Sequence, residues 1–371
     1  MLFKDLIGQH QVGQNLRTAL QAGRYPHALI LLGGEGCGKL PLALAMAQYL
    51  LCQQLTDGDS CGVCPACLKA QRWIHPDLHF SFPTVGKNVR SDDLLEQWRQ
   101  LLAEQPYASV QHWLQFIGAE NKQGNINKEE CVNITRKLNL KTFENQRKVL
   151  VMWRPEYLGK EGNRLLKLVE EPPADTYFIF VAEQSDQILN TILSRCQIVK
   201  VPPLSIDSVE KALMEKGEDP AKAKQAAQLS NGNYFLAQQL ITDEDRDHVQ
   251  LFIGWMRLCY QGNTVELVKW VNEFAKAGRE QQKFFLQYAL HFMREYLFYS
   301  TTDDLSNVRL SEAEKVVAQK FRKIIGFHRI EDLVTLFNDL IYYVERNANP
   351  KVLFLDASLS IHQFLKPTAT A

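Results

Sequence analysis

Ala28-Leu29-Ile30-Leu31-Leu32-Gly33-Gly34-Glu35-Gly36-Cys37-Gly38-Lys39-Leu40 decides how the first half of this chain is read. Five apolar residues run without a polar break and stop at a glycine pair, the pattern of a strand buried on both faces. A glycine loop follows, and an apolar, alanine-rich helix is predicted over Leu42–Leu51. Strand, loop and helix in that order form a phosphate cradle. Backbone N–H groups and the helix N-terminus meet the anion, and a lysine reaches the outer oxygens. Gly33, Gly38 and Lys39 meet the Gly-x4-Gly-Lys spacing, with Gly36 between them. The next residue should carry the hydroxyl that ligates Mg²⁺; it is Leu40, which offers no oxygen. A strand-to-helix turn that holds no ligand uses the same residues. The loop therefore argues for a nucleotide-binding fold and not for hydrolysis.

A hydrolytic site also needs carboxylates at the end of a neighbouring strand, to hold the metal and polarise water. The next buried run, Val149–Trp153, ends in Trp153-Arg154-Pro155-Glu156. An indole and a cation stand where two acids are wanted, and Glu156 comes two or three positions late. Two independent losses point the same way. The fold reads as an ATPase whose chemistry has been dismantled.

Further apolar runs at Tyr177–Ala182 and Ile198–Val201 complete a strand series with helical segments between them. Such alternation predicts an α/β fold with a parallel sheet covered on both faces. A helix from Asn163 to Glu171 is expected to stop at Pro172. After Pro203 the strand pattern ends. Short helices are predicted near Ser208–Lys216, Pro220–Gln228 and Tyr234–Ile241, then a charged break at 243–247. Long amphipathic helices follow from His248 to Leu365. The expected division is an α/β core over 1–203, a small helical domain over 204–245 and an all-α domain over 246–371. Residues 90–127 form an elaboration of the core with no evident role.

The composition narrows the class. The 371 residues carry 42 basic and 42 acidic side chains, for a net charge of zero, with 46% hydrophobic residues. A disordered chain is excluded, and a protein that binds nucleic acid by overall charge is disfavoured. Arg136, Lys137, Lys141, Arg147 and Lys148 form either a local basic stripe or an ordinary solvated face. No apolar run approaches a membrane span, and Met1-Leu2-Phe3-Lys4-Asp5 does not open a signal peptide, so a soluble, cytoplasmic protein is expected.

Eight cysteines are unevenly placed: Cys52, Cys61, Cys64 and Cys67 crowd into 16 positions. Four thiolates at that spacing suit a closed tetrahedral zinc site, structural because no position is open. Gly62 and Pro65 suit the turns between them. An iron–sulfur cluster is the rival assignment, since Cys-x2-Cys-x2-Cys also serves that metal.

Asp5-Leu6-Ile7-Gly8-Gln9, the altered phosphate loop, the four-cysteine insert, Leu165-Leu166-Lys167-Leu168-Val169-Glu170-Glu171-Pro172-Pro173 and Ser194-Arg195-Cys196 occur in this order. Together they resemble the bacterial DNA polymerase III clamp-loader branch of the AAA+ ATPases. The likeness spans residues 1–203; beyond that it is one of layout, with Arg346-Asn347-Ala348-Asn349-Pro350 resembling the segment before the last collar helix. The resemblance implies an AAA+ domain with a zinc module, a helical lid and an oligomerising collar. Motor subunits of that family keep the Mg²⁺ hydroxyl, the acidic pair and a lid arginine. Here these positions hold Leu40, Trp153 with Arg154, and Phe235. The likeness is thus to the non-hydrolysing member, whose implied role is to place Arg195 as an arginine finger in the ATP site of an adjacent motor subunit. It further implies a hetero-pentamer with gamma/tau and delta subunits, contact with primed DNA and the sliding clamp through that complex, structural Zn²⁺, and weak or absent ATP binding. The alternatives are an active gamma/tau-like ATPase with an unusual magnesium arrangement around Lys39 and Glu156, and a zinc-stabilised nucleic-acid-binding module.

Overall fold

A computed structural model describes residues 1–120, 122–242, 248–305, 308, 310, 312–322, 324–346 and 348–366. The chain divides into two compact units, Met1–Gln239 and Leu240–Ala371. The charged break at 243–247 lies outside the described residues, as does Asn347.

The first unit is built on a five-stranded parallel sheet. Its strands are β1 (Ala28–Leu32), β4 (Leu78–Ser81), β5 (Lys148–Trp153), β6 (Thr176–Ala182) and β7 (Gln197–Lys200), in spatial order β4-β5-β6-β1-β7. A two-stranded hairpin, β2 (Leu55–Thr56) and β3 (Asp59–Ser60), stands apart. The four apolar runs became four strands. The fifth, β4, was not anticipated: it is four residues long and His79 interrupts its apolar pattern.

Register fixes what stands beside the glycine loop. Leu32 pairs with Ala182 on one side and Lys200 on the other, while Trp153 pairs with Val181. The loop after β1 therefore opens next to Glu183, and the end of β5 lies one strand further along. Helix Lys39–Leu51 leaves the loop with every residue buried. On the sheet, Ile30, Leu150, Met152, Phe178 and Phe180 share a core with Ile134, Leu138, Leu165 and Val169. The helix expected over Asn163–Glu171 is shorter. A 3₁₀ stretch spans Pro155–Leu165, broken at Gly159, and the α-helix is Leu166–Glu170. An early proline and two glycines within that stretch explain the delay.

Among the described residues, 90–127 hold a 3₁₀ turn, Ser91–Leu94, and α-helices Leu95–Glu104 and Val110–Phe116. Trp98 stacks on Phe82 at 4.3 Å and meets Trp113 and Trp153 at 5.4 and 5.1 Å between ring centroids. The Trp113 indole N–H donates to Pro83 O at 2.7 Å. Phe82 and Trp153 come from the ends of β4 and β5, so the elaboration is bolted to the sheet. Helices Ile206–Glu215, Pro220–Leu229 and Tyr234–Thr242 follow the sheet, the first two capped by Ser205 and Asp219.

The second unit contains helices His248–Gln261, Thr264–Phe274, Arg279–Thr302, Glu312–Phe321, Phe327–Glu345 and Pro350–Leu365. Phe252, Trp255, Phe285, Phe337 and Phe354 form its aromatic centre, and the Trp255 indole N–H donates to Ser358 Oγ at 2.9 Å. No helix among the described residues is long and apolar enough to cross a membrane.

Candidate phosphate-loop site and cysteine cluster

The glycine loop is held from outside by residues distant in sequence. Gln9 is buried and its amide donates to Cys37 O at 2.8 Å and Pro202 O at 2.7 Å. Two glycines are dictated by close approach. A Cβ on Gly33 would lie 2.2 Å from Val201 O, and one on Gly36, at φ +65°, would lie 1.8 Å from Asn233 Oδ1. The Tyr234 N–H donates to Gly36 O at 3.1 Å, and the Asn233 amide donates to Glu35 Oε1 at 3.2 Å.

Lys39 is turned back onto its own loop. Its side chain is buried, and the ammonium donates to Gly34 O and lies 4.0 Å from Glu183 Oε1. Burial pushes its pKa below the usual lysine range, and the positive charge of Arg154 works in the same direction. Arg154 occupies the left-handed region at φ +62°. Its backbone N–H donates to Val181 O at 2.9 Å, while its guanidinium pairs with Glu183 and stands 3.8 Å from Glu156 Oε2. Glu156 in turn accepts N–H bonds from Glu183 and Gln184 through Oε1. Two cations and two carboxylates thus gather at the mouth of the loop, with Arg154 Nε and Glu156 Oε2 left without a hydrogen bond. Glu156 is the one acid that the sequence places just after β5. Glu183 is the second, and its signal was its place directly after the buried strand that neighbours β1.

Cys52, Cys61, Cys64 and Cys67 converge, with their sulfur atoms all within 4.8 Å of one another. The β2–β3 hairpin returns the chain from Cys52 to Cys61, and Cys64 caps helix Pro65–Gln71. Backbone N–H groups of Val63 and Cys64 point at Cys61 Sγ at 3.5 and 3.3 Å, that of Cys67 at Cys64 Sγ at 3.4 Å, and that of Cys61 at Cys52 Sγ at 3.3 Å. The N–H donors, that of Val63 foremost, lower the Cys61 thiol to about 6, while burial raises the thiols of Cys52 and Cys67. Thiolate-stabilising amides around four gathered sulfurs are consistent with a zinc site.

Arg195 lies between the short helix Asn190–Leu193 and the edge strand β7. Its side chain is about one-third exposed, at 32%. It donates to Thr191 O at 2.8 Å and pairs with Glu170 at 3.2 Å. The basic stripe largely dissolves into internal contacts. Lys148 is buried and donates to Leu138 O and Leu140 O, Lys137 pairs with Asp92, Arg147 donates to Leu50 O at 3.3 Å, and Arg136 donates to Asn133 Oδ1 at 3.1 Å.

Over residues 8–205 the sequence matches the family model described as DNA polymerase III, delta subunit. The chain belongs to that family. The DNA polymerase III subunit delta' of Escherichia coli K12 is 29% identical over 191 residues, covering 51% of this chain and 46% of the relative. That of Bacillus subtilis 168 is 27% identical over 224 residues, covering 60% and 56%. A gamma/tau subunit from Mycobacterium tuberculosis H37Rv is 29% identical over 194 residues, covering 52% and 27%. The chain spans about half the length of the curated delta-prime relatives it matches. The clamp-loader, delta-prime-like resemblance carried by the sequence motifs is therefore upheld, and the parallel α/β sheet with following helices is compatible with the AAA+ layout. Gly33, Gly36, Gly38, Lys39, Leu40 and Arg195 all fall inside the matched stretch.

Proposed function

We propose that this chain is a non-hydrolysing subunit of the clamp loader that serves the replicative DNA polymerase, and that it acts through Arg195 in the ATP site of a neighbouring motor subunit. One observation carries the reading: Lys39 is engaged by Gly34 O and Glu183 within its own chain, while Arg195 stays at the surface. Leu40 supplies no oxygen to Mg²⁺, and Trp153 and Arg154 stand where the resemblance leads one to expect the acidic pair, with Arg154 paired to Glu183 from the next strand. ATP binding by this chain is accordingly weak or absent.

An arginine finger needs only a permanent charge and a planar donor fork placed against a partner's γ-phosphate. The Glu170 contact is partly exposed and can be exchanged for a triphosphate at little cost. The partners are gamma/tau-type motor subunits and a delta subunit in a hetero-pentamer, with the second unit as collar; primed DNA and the sliding clamp are met through the assembly. Cys52, Cys61, Cys64 and Cys67 would hold a structural zinc that ties the hairpin to helix Pro65–Gln71. The test is the DNA-stimulated ATPase of a reconstituted loader carrying Arg195→Ala. A loss of turnover supports the reading; unchanged turnover removes it.

A further inference from the structure

We propose that the elaboration of residues 90–127 is an internal latch, clamping the helices after Pro203 to the α/β core across the phosphate loop. The inference rests on the reading of that loop as inactive, because it gives to side chains a bridging task that an active site leaves to its ligand.

The latch has an aromatic anchor on the sheet and two aromatic contacts beyond the loop, joined by the helices that carry them. Phe82 and Trp153, at the ends of β4 and β5, seat Trp98, which meets Trp113. Helices Leu95–Glu104 and Val110–Phe116, so anchored, present two rings to the far side of the loop. The Tyr107 ring is buried between them and the loop: it lies 3.4 Å from where a Gly38 Cβ would stand, and its centroid is 4.9 Å from that of Tyr234. The half-buried His112 packs on Phe235 at 5.1 Å. Tyr234 and Phe235 open helix Tyr234–Thr242, and their neighbour Asn233 already touches Gly36. Both rings of the elaboration thus meet the same end of the same helix. Phe235 is also the residue that stands where the family resemblance leads one to expect an arginine.

Close-packed rings hold one relative placement because their contacts are lost with small displacements. The position of residues 204–239 on the core is then set by the chain itself and does not wait for a nucleotide. Hydrogen exchange of the purified full-length chain tests this, since local opening is read helix by helix. Tyr107→Ala should speed exchange of helix Tyr234–Thr242 at least tenfold, and the milder His112→Ala a few-fold. Tyr107→Phe, which keeps the ring and loses only the hydroxyl's hydrogen bond with the Ile7 backbone, should stay far closer to the unaltered chain than Tyr107→Ala, and β5 and β6 should exchange as before in every variant. An unchanged helix in both alanine variants, equal acceleration of the sheet, or a Tyr107→Phe variant as fast as Tyr107→Ala would each overturn the latch. No clamp loader is needed for the measurement, so its failure is separate from that of the Arg195 reading.

Discussion

The Lys39 ammonium stands 4.0 Å from a Glu183 carboxylate oxygen of its own chain, with both side chains largely out of water. A charge in that position is attracted several times more strongly than the same pair in bulk solvent. Glu183 also holds Arg154, so one carboxylate answers two cations. An incoming triphosphate has to compete with it.

Glu183→Gln should leave the positive charge of Lys39 and Arg154 only partly answered, by Glu156, beside the glycine loop. Affinity for a fluorescent ATP analogue is expected to rise about tenfold or more, read by equilibrium titration. The same variant should lose roughly 1–3 kcal/mol of stability, the usual cost of removing one partner from a buried polar set. Unchanged affinity would show that something other than this carboxylate closes the site.

Glu170→Ala and Arg195→Lys separate the finger from its resting contact. The Glu170–Arg195 pair is partly solvated, at 55% and 32% exposure, so its loss should alter stability by no more than about 0.5 kcal/mol. Turnover of a reconstituted loader should stay within twofold of normal for Glu170→Ala. Arg195→Lys keeps the charge but not the fork, and turnover at the affected site should fall by about 10²-fold or more.

Elemental analysis should find about one zinc per chain, and Cys61→Ser should abolish it. Chelation should lower the melting temperature by several degrees, because a closed metal site contributes folding energy directly. The melting of Cys61→Ser should no longer respond to chelator. Iron in place of zinc would reassign the cluster.

His79, on β4, has its pKa depressed to about 4, chiefly by burial, with Lys137 adding to the effect and Asp77 and Asp92 opposing it. An unfolded histidine titrates near 6.5. Below that pH the unfolded chain takes up a proton that the folded chain refuses until about pH 4. Stability is full above pH 6.5 and declines as the pH falls toward 4, by roughly 2–3 kcal/mol from this residue. Urea midpoints measured from pH 7 to 4.5 should show that slope, and His79→Leu should flatten it.

Much of the core was legible because its signals are local. An uninterrupted apolar run needs no partner to announce a doubly buried strand, and Ala28–Leu32, Val149–Trp153 and Tyr177–Ala182 all did so. Strand β4 escaped because four residues containing a histidine give no such run. The substitution of Leu40 for a hydroxyl was visible at its own position. The carboxylate that meets Lys39 was not, since Glu183 lies 144 residues further along and only the pairing of β1 with β6 brings the two together. The basic residues between Arg136 and Lys148 stayed ambiguous for the opposite reason. Charge is visible in a sequence, but whether a lysine such as Lys148 is spent on backbone carbonyls depends on where helix Lys128–Asn139 ends against the start of β5.

Residue identity and short-range spacing alone determined that a phosphate loop precedes a helix without its metal-binding hydroxyl, that four thiols can share one ion, and which family the first two hundred residues resemble. These are properties of covalent chemistry and of periods of a few residues. Tertiary structure alone decided that Lys39 is engaged by its own chain, that Arg195 rests on Glu170 at the surface, and that Tyr107 bridges Gly38 to Tyr234. Each of those contacts joins residues from different strands, helices or loops, and only strand order and register determine which of them meet.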